Sequence, residues 1–341
     1  MIRIGVLGPA DIARRRMVPA IIKNEGCEYA GVALATMAEH DPAGNGSDGI
    51  KDTTREKGKV FLDEFGGRIY EGYKSMLSSD DIDAVYIALP PALHRKWAGL
   101  ALKAGKHVLL EKPFTTKQED TRELIDIASE RNLAVAEDFG FIYHKQMSVI
   151  KDIIASGRLG DLRLIRANFG FPFRGDGDFR YHKALGGGAL LDCGCYTLML
   201  ASDLLEDVKL KDAALCGKDG FDVDIYGTIS AEGRDALGNR VSAQLSFGMD
   251  QQYCCGLEVW GSKGCLKTDR IFTAPPQLGT KVTVTCGMDS EDISCGEDDQ
   301  FGRILDAFLD MISDADKRKH SYEMISTQAD LMQKTMRLND Q

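Results

Sequence analysis

The chain follows two different patterns of apolar and polar residues, and the pattern changes near residue 136. In the first part, continuous apolar runs alternate with stretches in which apolar residues recur every three or four positions. Continuous runs are typical of strands buried on both faces, and the longer period is typical of amphipathic helices. The strand-like runs are IRIGVLG, YAGVALAT, AVYIALP, HVLLEKP and LAVAEDF. Strands that alternate with helices predict an α/β domain with a doubly wound parallel sheet for residues 1–136.

The helices predicted between these strands are ADIARRRMVPAIIKN, REKGKVFLDEFG, LHRKWAGLALKAG and TRELIDIASERN. A polar segment, AEHDPAGNGSDGIKDTT, follows the second strand. Its Gly, Pro, Asn and Asp residues predict a loop.

Residues 137–341 show strand-like stretches in series rather than in alternation with helices. These stretches are LRLIRANFGF, VDIYGTISAE, RVSAQLSFG, GLEVWGSKGCLKTD and KVTVTCG. Turns such as LGN and GSKG separate them and indicate antiparallel hairpins. Helical periodicity is present in KQMSVIKDIIASG, QFGRILDAFLDMISDAD and EMISTQADLMQKTM. The second domain is therefore predicted to be α+β, built on a mostly antiparallel sheet.

Composition narrows the choice of partners and compartment. Hydrophobic residues make up 43% and charged residues 28%, as is usual for globular proteins, and the net charge is −10. Because no basic run is longer than Arg14–Arg16, we expect neither nucleic acid nor a membrane as partner. The sequence has no apolar stretch of ~18 residues, so we predict no segment that spans a bilayer. The start MIRIGVLGPA is typical of a strand, and the nine scattered cysteines indicate reduced thiols. We therefore expect a cytoplasmic protein.

The turn after the first strand has an incomplete dinucleotide-binding fingerprint. In the pattern G-x-G-x-x-G/A, Gly8 is the first glycine, Ala10 replaces the second and Ala13 fills the third. Such a turn brings backbone N–H groups and a helix N-terminus close to a pyrophosphate. The methyl group of Ala10 weakens the match, and an ordinary strand-to-helix turn is the alternative. The cofactor contacts predicted here are Gly8, Pro9, Ala10, Asp11 and Ile12.

The end of the second strand bears on the choice between NAD and NADP. An acidic residue at this position binds the ribose hydroxyls of NAD, whereas this chain has Thr36 and Met37. Since no carboxylate stands there to repel a 2′-phosphate, the sequence slightly favours NADP over NAD.

A lysine follows the apolar strand HVLL, in the order Glu111, Lys112, Pro113. Ligands of open α/β sheets bind outside the carboxyl ends of the strands, where an ammonium group can stabilise an alkoxide. Lys112 is therefore a candidate catalytic residue, although a surface lysine is the alternative. The Lys112–Pro113 bond is a candidate for the cis form.

The segment LGGGALLDCGCYTLML allows three interpretations. A phosphate loop is disfavoured because no lysine follows the glycines and Asp192 would repel a phosphate. A metal site is disfavoured because Cys193 and Cys195 have no second ligand pair at suitable spacing, so we predict no metal. The third interpretation takes Asp192 and Tyr196, four residues apart on one helical face, as site residues; a core tyrosine bonded to a capping aspartate is the alternative.

Four stretches of the chain resemble a known family: IGVLGPADIA, ALPPALHRKWAGLALKAGKHVLLEKPFT, AEDFGFIYHKQ and LGGGALLDCGCY. The chain is similar over nearly its whole length to the glucose–fructose oxidoreductase / inositol dehydrogenase / rhizopine-catabolism (GFO/IDH/MocA) family. The resemblance implies a Rossmann domain followed by an α+β domain with a large open sheet. It also implies NAD(P)-dependent oxidation or reduction, mostly of sugars and cyclic polyols.

The resemblance also implies roles for single residues. Those that match the family's cofactor contacts are Leu89, Pro90, His94, Glu111 and Lys112. Two positions depart from the family: Pro91 stands where asparagine is usual, and Ile142 where many sugar-oxidising members have arginine. Each departure puts one cofactor contact in doubt.

The helix after the glycines matches the family element that presents an aspartate and, four residues on, a histidine or tyrosine. Tyr196 is the tyrosine form, similar to dihydrodiol and aldose (xylose) dehydrogenases. The resemblance implies that Tyr196 exchanges a proton with the substrate, that Lys112 lowers the pKa of the tyrosine, and that Asp192 orients Lys112 or the sugar. Arg180 is a further candidate for substrate binding, with Phe171 and Phe173 near it, although surface or packing roles are equally compatible with the sequence.

These observations together predict an oxidoreductase that transfers a hydride between NAD(P) and a carbohydrate-type hydroxyl or carbonyl group, with its site in the cleft between the domains. Two alternatives stay open: a glycosidase-type member that holds NAD tightly, and a dinucleotide-sensing regulator without catalysis.

An open sheet exposes one face, so we also expect a homodimer or homotetramer formed through the C-terminal sheet.

Overall fold

The computed structural model describes residues 1–40 and 48–339, without the side chains of residues 40 and 48–53. The polar loop predicted after Ala38 therefore falls in part outside the described residues. Around it the structure has two helices, α2 (Met37–His40) and α3 (Asp48–Phe65), so helix α3 begins earlier than the predicted Arg55.

The chain divides into two compact units. The first unit comprises Met1–Thr115, Glu119–Asp138 and Ile304–Ser326, and the second comprises Thr116–Gln118, Phe139–Arg303 and Thr327–Gln341. This division differs from the predicted domains 1–136 and 137–341, because part of the C-terminal helical region returns to the first unit.

Hydrogen bonds and apolar packing explain this return. The hydroxyl group of Ser321 donates to the carbonyl oxygen of Val135 at 2.7 Å, and that of Tyr322 donates to Leu133 at 2.6 Å. Ile325 is buried in the hydrophobic core of the first unit. These contacts tie the helix to the last strand of the first unit.

The first unit contains a six-stranded parallel sheet in the order β3-β2-β1-β4-β5-β6. The strands are β1 (Ile2–Leu7), β2 (Cys27–Leu34), β3 (Arg68–Glu71), β4 (Ala84–Ile87), β5 (His107–Leu110) and β6 (Val135–Glu137). This is the strand order of the Rossmann fold, in which the chain changes direction beside β1. The predicted parallel α/β sheet is confirmed, with β3 as an additional edge strand.

The remaining helices of this region are α1 (Val18–Lys23), α4 (Tyr73–Leu77), α5 (His94–Lys103) and α6 (Gln118–Glu130). A π-helical turn, Ala13–Met17, leads directly into α1. Pro19 lies in the first turn of α1 and has no N–H to donate to the preceding turn. The π-turn is therefore placed where the regular hydrogen-bond ladder cannot form.

The second unit contains an eight-stranded sheet in the order β14-β13-β12-β11-β7-β10-β9-β8. The strands are β7 (Leu162–Gly170), β8 (Glu206–Gly217), β9 (Asp224–Arg234), β10 (Arg240–Gly248), β11 (Cys254–Gly261), β12 (Cys265–Thr268), β13 (Thr280–Cys286) and β14 (Asp289–Gly296). Among the described strands of this second sheet, only the β7–β10 pair is parallel, so the mostly antiparallel sheet is confirmed. In β10, Val241, Ala243, Leu245 and Phe247 are buried and alternate with exposed residues, so one face of the sheet carries the core.

The helices α7 (Lys145–Ala155) and α8 (Cys195–Leu204) belong to the second unit, and α9 (Gln300–Ser313) and α10 (Ala315–Asn339) follow the sheet. A π-helical turn, Leu190–Gly194, precedes α8. The stretch Lys183–Leu204 is long and apolar enough to cross a membrane, with a mean hydropathy of 1.3, but 83% of it is buried in the structure. Burial in a protein core accounts for such a composition.

Candidate functional site

The carboxyl ends of β1, β2, β4 and β5 lie at one edge of the parallel sheet, and β1 stands between β2 and β4. Gly8 follows β1 with φ +89°, a left-handed conformation that favours glycine. Its N–H donates to the carbonyl oxygen of Ala33 at 3.1 Å, and the N–H of Ala10 donates to Gly8 at 2.9 Å. The helical run begins at Asp11, and the first N–H groups of a helix have no partner within it. This tight turn at the switch point of the sheet fits a dinucleotide pyrophosphate.

Glu39 organises the end of β2. Its carboxylate accepts hydrogen bonds from the N–H and the hydroxyl group of Thr36, at 2.8 and 3.0 Å, and from the N–H groups of Tyr73 and Lys74, both at 3.1 Å. Burial alone would raise the pKa of Glu39, but these N–H donors outweigh it and the pKa is lowered. The carboxylate of Glu39 is thus turned into the protein, while Thr36 is exposed.

The loop that carries Lys112 is held by two buried side chains. The Lys112–Pro113 peptide bond is cis, as the sequence allowed. The carbonyl oxygen of Pro113 lies 2.8 Å from Nδ1 of His94, and the N–H of Phe114 donates to Oε1 of Glu137 at 2.7 Å. These contacts fix the backbone on the carboxyl side of Lys112.

His94 has a different position from the predicted contact with the cofactor. The side chain is fully buried, and its second ring nitrogen, Nε2, lies 2.7 Å from the carbonyl oxygen of Leu89. Burial lowers the pKa of His94. A neutral imidazole has one N–H, so it donates to one of the two carbonyl groups at a time. Because both nitrogens face the backbone, His94 can act on a cofactor only through the loops that it joins.

Two glutamates flank this loop. The hydroxyl group of Tyr86 donates to Oε1 of Glu111 at 2.5 Å, which orients the glutamate predicted to lie beside the cofactor. Burial raises the pKa of Glu137 to about 8, although the N–H of Phe114 and the charge of Lys112 act in the opposite direction. A carboxyl group with this pKa can hold a proton near neutral pH beside a lysine.

In the second unit, Asp192 lies in the π-helical turn before α8 and is nearly buried. Its Oδ2 atom accepts a hydrogen bond from Nε of Arg180 at 2.9 Å, and Nη1 of Arg180 lies 3.1 Å from Oδ1 of Asp178. Burial alone would lower the pKa of Arg180, but the two carboxylates outweigh it and raise the pKa. The guanidinium group predicted to bind substrate is therefore engaged by two carboxylates, and its direct effect is to hold Asp192.

The glycines before Asp192 allow close packing. A Cβ atom at Gly187 would lie 2.3 Å from the carbonyl oxygen of Arg180, and one at Gly188, where φ is +127°, would lie 2.5 Å from Oδ1 of Asp224. The other carboxylate oxygen of Asp224 accepts the N–H of Leu190 at 2.7 Å. The glycines thus bring the Arg180 backbone and a helix-capping carboxylate against the turn that carries Asp192.

Four aromatic rings surround Tyr196 and form a cage. The distances from its ring centroid are 5.2 Å to Phe139, 5.9 Å to Phe141, 5.1 Å to Phe169 and 5.6 Å to Phe272. Tyr196 remains partly accessible, unlike the four phenylalanines. The cage fixes the ring while part of the side chain stays open to solvent.

The cysteines of this segment lie close to backbone carbonyl groups. Sγ of Cys193 lies 3.7 Å from the carbonyl oxygen of Gly248, and Sγ of Cys195 lies 3.6 Å from that of Asp192. Within residues 1–40 and 48–339, no group of three or more His, Cys, Asp or Glu residues could hold a metal ion.

Sequence reasoning missed Glu39 and Glu137. Glu137 stands at the end of an apolar run, LAVAE, in the same position relative to its strand that identified Lys112. Applying the strand-end criterion to every strand would have found it.

Family models match both parts of the chain. Residues 2–139 match the oxidoreductase family with an NAD-binding Rossmann fold (GFO_IDH_MocA), and residues 147–267 match the GFO/IDH/MocA C-terminal domain. These matches confirm the family that the sequence motifs indicated.

Similar proteins include dTDP-3,4-didehydro-2,6-dideoxy-alpha-D-glucose 3-reductases. The protein from Streptomyces violaceoruber is 42% identical over 275 residues, covering 80% of this chain and 74% of that protein. The one from Actinomadura kijaniata is 35% identical over 332 residues, covering 97% and 93%. A crystal structure of a 3-ketoreductase from Actinomadura kijaniata in complex with NADP and TDP-benzene has a TM-score of 0.87 and 34% identity, covering 99% of this chain and 97% of that one. The chain therefore belongs to the GFO/IDH/MocA family and is an NAD(P)-dependent oxidoreductase acting on carbohydrate-type substrates.

Proposed function

We propose that this protein is an NADPH-dependent reductase of a keto group on a nucleoside-diphosphate-linked sugar. The observation that supports this best is that a tight glycine turn at the switch point of the parallel sheet in the first unit occurs together with a caged, partly accessible Tyr196 in the second. The reductases described above, which are similar to this chain over most of their length, are named for a dTDP-linked keto sugar. The crystal structure of the 3-ketoreductase contains TDP-benzene.

The first unit provides the cofactor site. Gly8 and the helical run from Asp11 hold the pyrophosphate, and the exposed Thr36 lies where a 2′-phosphate would bind. The carboxylate of Glu39, which is bonded to Thr36, is buried and also accepts the backbone N–H groups of Tyr73 and Lys74. The nicotinamide cofactor, when bound, supplies the hydride for the carbonyl carbon. Glu111, oriented by Tyr86, is placed to position the cofactor beside Lys112.

The proton for the carbonyl oxygen comes from Tyr196. The four rings of the cage restrict its ring, so the hydroxyl group is presented in one orientation. The ammonium group of Lys112 stabilises the negative charge that develops on the substrate oxygen, and the loop contacts of His94 and Glu137 hold it in place. Asp192, fixed by Arg180, accepts a hydrogen bond from a sugar hydroxyl group.

The test is a binding titration followed by a turnover assay. We expect NADPH to bind more tightly than NADH, and the absorbance of NADPH to fall when dTDP-3,4-didehydro-2,6-dideoxy-α-D-glucose is added. Turnover of free aldoses with NAD, without turnover of the nucleotide-linked sugar, would contradict the proposal. Retention of cofactor through purification with no turnover of either substrate would favour the glycosidase-type or regulator alternatives.

We also propose that the outer face of the second unit's sheet forms a homodimer or homotetramer. Trp260 and Tyr226 lie on exposed positions of β11 and β9, with 44% and 51% of their surface exposed. Light scattering during gel filtration should give a mass of at least two chains, and a monomer at micromolar concentration would contradict this.

We propose a cytoplasmic location without nucleic acid or membrane partners. The nine cysteines are free thiols in the structure, and the net charge is −10. Recovery of the native protein in the membrane fraction, or with its cysteines paired as disulfides, would contradict this location.

A further inference from the structure

A cavity of about 400 Å³ in the second unit has no role in the functions described above. It is lined by Phe169, Phe171, Pro172, Arg174, Tyr253 and Thr273. Its size is within the range of ligand sites, and its lining is mostly apolar with one cationic side chain. Phe169 also belongs to the Tyr196 cage, with its ring centroid 5.1 Å from that of Tyr196. The cavity therefore begins one aromatic ring away from the proposed proton donor.

The loop after β7 contains two arginines with different charge environments. Arg180 is bound to Asp178 and Asp192 and is mostly buried. Arg174 is exposed, and no ion pair with it is found in the part of the chain that the structure describes. Its guanidinium carbon lies 4.5 Å from the ring centroid of Phe171, so the ring orients the group at the cavity wall. An oriented, unneutralised guanidinium group is suited to bidentate recognition of a phosphate.

Tyr253 forms a rigid aromatic wall of the same cavity. Its hydroxyl group lies 2.8 Å from Oγ1 of Thr273 and accepts a hydrogen bond from Nη1 of Arg270 at 2.9 Å. The guanidinium carbon of Arg270 lies 4.6 Å from the centroid of the Tyr253 ring. A ring held in this way offers a stacking surface for a nucleobase.

We propose that this cavity binds the nucleoside diphosphate part of the substrate, with Arg174 on the diphosphate and Tyr253 against the base. The inference rests on the proposed function, because it is the nucleotide-linked sugar that needs such a subsite. The sugar then extends past Phe169 toward Tyr196. Phe173, also considered for the pocket, packs against Tyr181 with centroids 4.7 Å apart and does not line the cavity.

The test measures thymidine 5′-diphosphate binding by calorimetry, using the full chain with saturating NADP⁺. Arg174→Met should raise the Kd roughly tenfold to a hundredfold, the effect of losing charge-assisted hydrogen bonds. Arg163→Met is the matched control, since Arg163 is 57% exposed, lies near the start of β7 and does not line the cavity, whereas Arg174 follows the end of that strand. Its Kd should stay within twofold of that of the wild type.

A second arm uses Tyr253→Leu and compares thymidine 5′-diphosphate with inorganic pyrophosphate. We expect this variant to bind thymidine 5′-diphosphate more weakly than the wild type does and to bind pyrophosphate equally well. In turnover assays, Arg174→Met should raise the KM for the nucleotide-linked sugar and leave the Kd of NADPH unchanged.

The outcomes separate the two proposals. Wild-type binding of thymidine 5′-diphosphate with an unchanged Kd in Arg174→Met would overturn the cavity assignment and leave the reductase function standing. Equal wild-type affinities for pyrophosphate and thymidine 5′-diphosphate would overturn the role of Tyr253. Absence of both nucleotide binding and turnover in the wild type would overturn the proposed function itself.

Discussion

Replacing Glu137 with glutamine should remove the loss of stability that this carboxyl group causes as the pH rises from about 5 to 8. Burial raises the pKa of this carboxyl group from 4.5 to about 8. The native protein therefore binds the proton more tightly than the unfolded chain. The stabilisation that the native protein gains from protonated Glu137 is complete at acid pH. It is lost as the pH rises from about 4.5 through about 8. At 1.36 kcal/mol for each pH unit, the difference between 4.5 and about 8 amounts to about 5 kcal/mol at most.

The assay is urea unfolding of both proteins at pH 5.5 and pH 8. Relative to Glu137→Gln, the wild type should lose several kcal/mol of unfolding free energy between these values, because the buried histidines with lowered pKa values, such as His94, contribute equally to both proteins. Glu137→Gln keeps an oxygen to accept the N–H of Phe114 and should show a much smaller loss. Glu130→Gln, at the exposed end of α6, is the control and should behave as the wild type. An equal loss in Glu137→Gln and the wild type would refute the assignment of this pH dependence to Glu137.

Three other changes test separate parts of the structure. Arg180→Met removes the ion pairs of a mostly buried guanidinium group with Asp178 and Asp192 and should lower the unfolding free energy, measured in urea, by about 3–5 kcal/mol. Gly187→Ala places a methyl group 2.3 Å from a carbonyl oxygen and should cost about 1–3 kcal/mol, whereas Gly177→Ala, with nothing within 4 Å, should be neutral in the same assay. Thr36→Asp should weaken NADPH binding at least tenfold in a fluorescence titration and affect NADH less; equal effects would contradict the proposed position of the 2′-phosphate.

The strands that sequence patterning did not predict are β3, β8 and β14, and each lies at the edge of a sheet. An edge strand is paired on one side only and carries many exposed polar residues, as in β14, where Asp289, Glu291 and Asp292 are exposed. Such strands lack the apolar runs and the regular alternation that mark inner strands. Their formation depends on the neighbouring strand, which the local sequence does not show.

The return of the segment Ile304–Ser326 to the first unit was not predicted, for a similar reason. The periodicity of α9 and α10 predicts that they are amphipathic, but it does not tell which surface they cover. The structure assigns Ile304–Ser326 to the first unit, through contacts such as that of Tyr322 with Leu133. Only tertiary packing decides which unit these helices join.

The sequence indicates candidate site residues most directly where they follow a strand of the parallel sheet. Gly8 and Lys112 follow apolar strands, and the carboxyl ends of parallel strands meet at one edge. The ion pairs of Arg180 and the two backbone contacts of His94 join residues distant in the sequence, so spacing could not reveal them. For the same reason the sequence did not separate Arg174 from Arg180 as the cation available to a ligand.

The central claim is that Tyr196 and Lys112 carry out proton transfer and charge stabilisation in an NADPH-dependent reduction. The most direct measurement is single-turnover oxidation of bound NADPH by the nucleotide-linked keto sugar, in the wild type, Tyr196→Phe and Lys112→Ala. We expect each variant to be slower by about 10²–10⁴-fold at saturating NADPH, with the Kd of NADPH unchanged in Tyr196→Phe. Single-turnover rates close to the wild type in either variant, with NADPH bound normally, would contradict the claim.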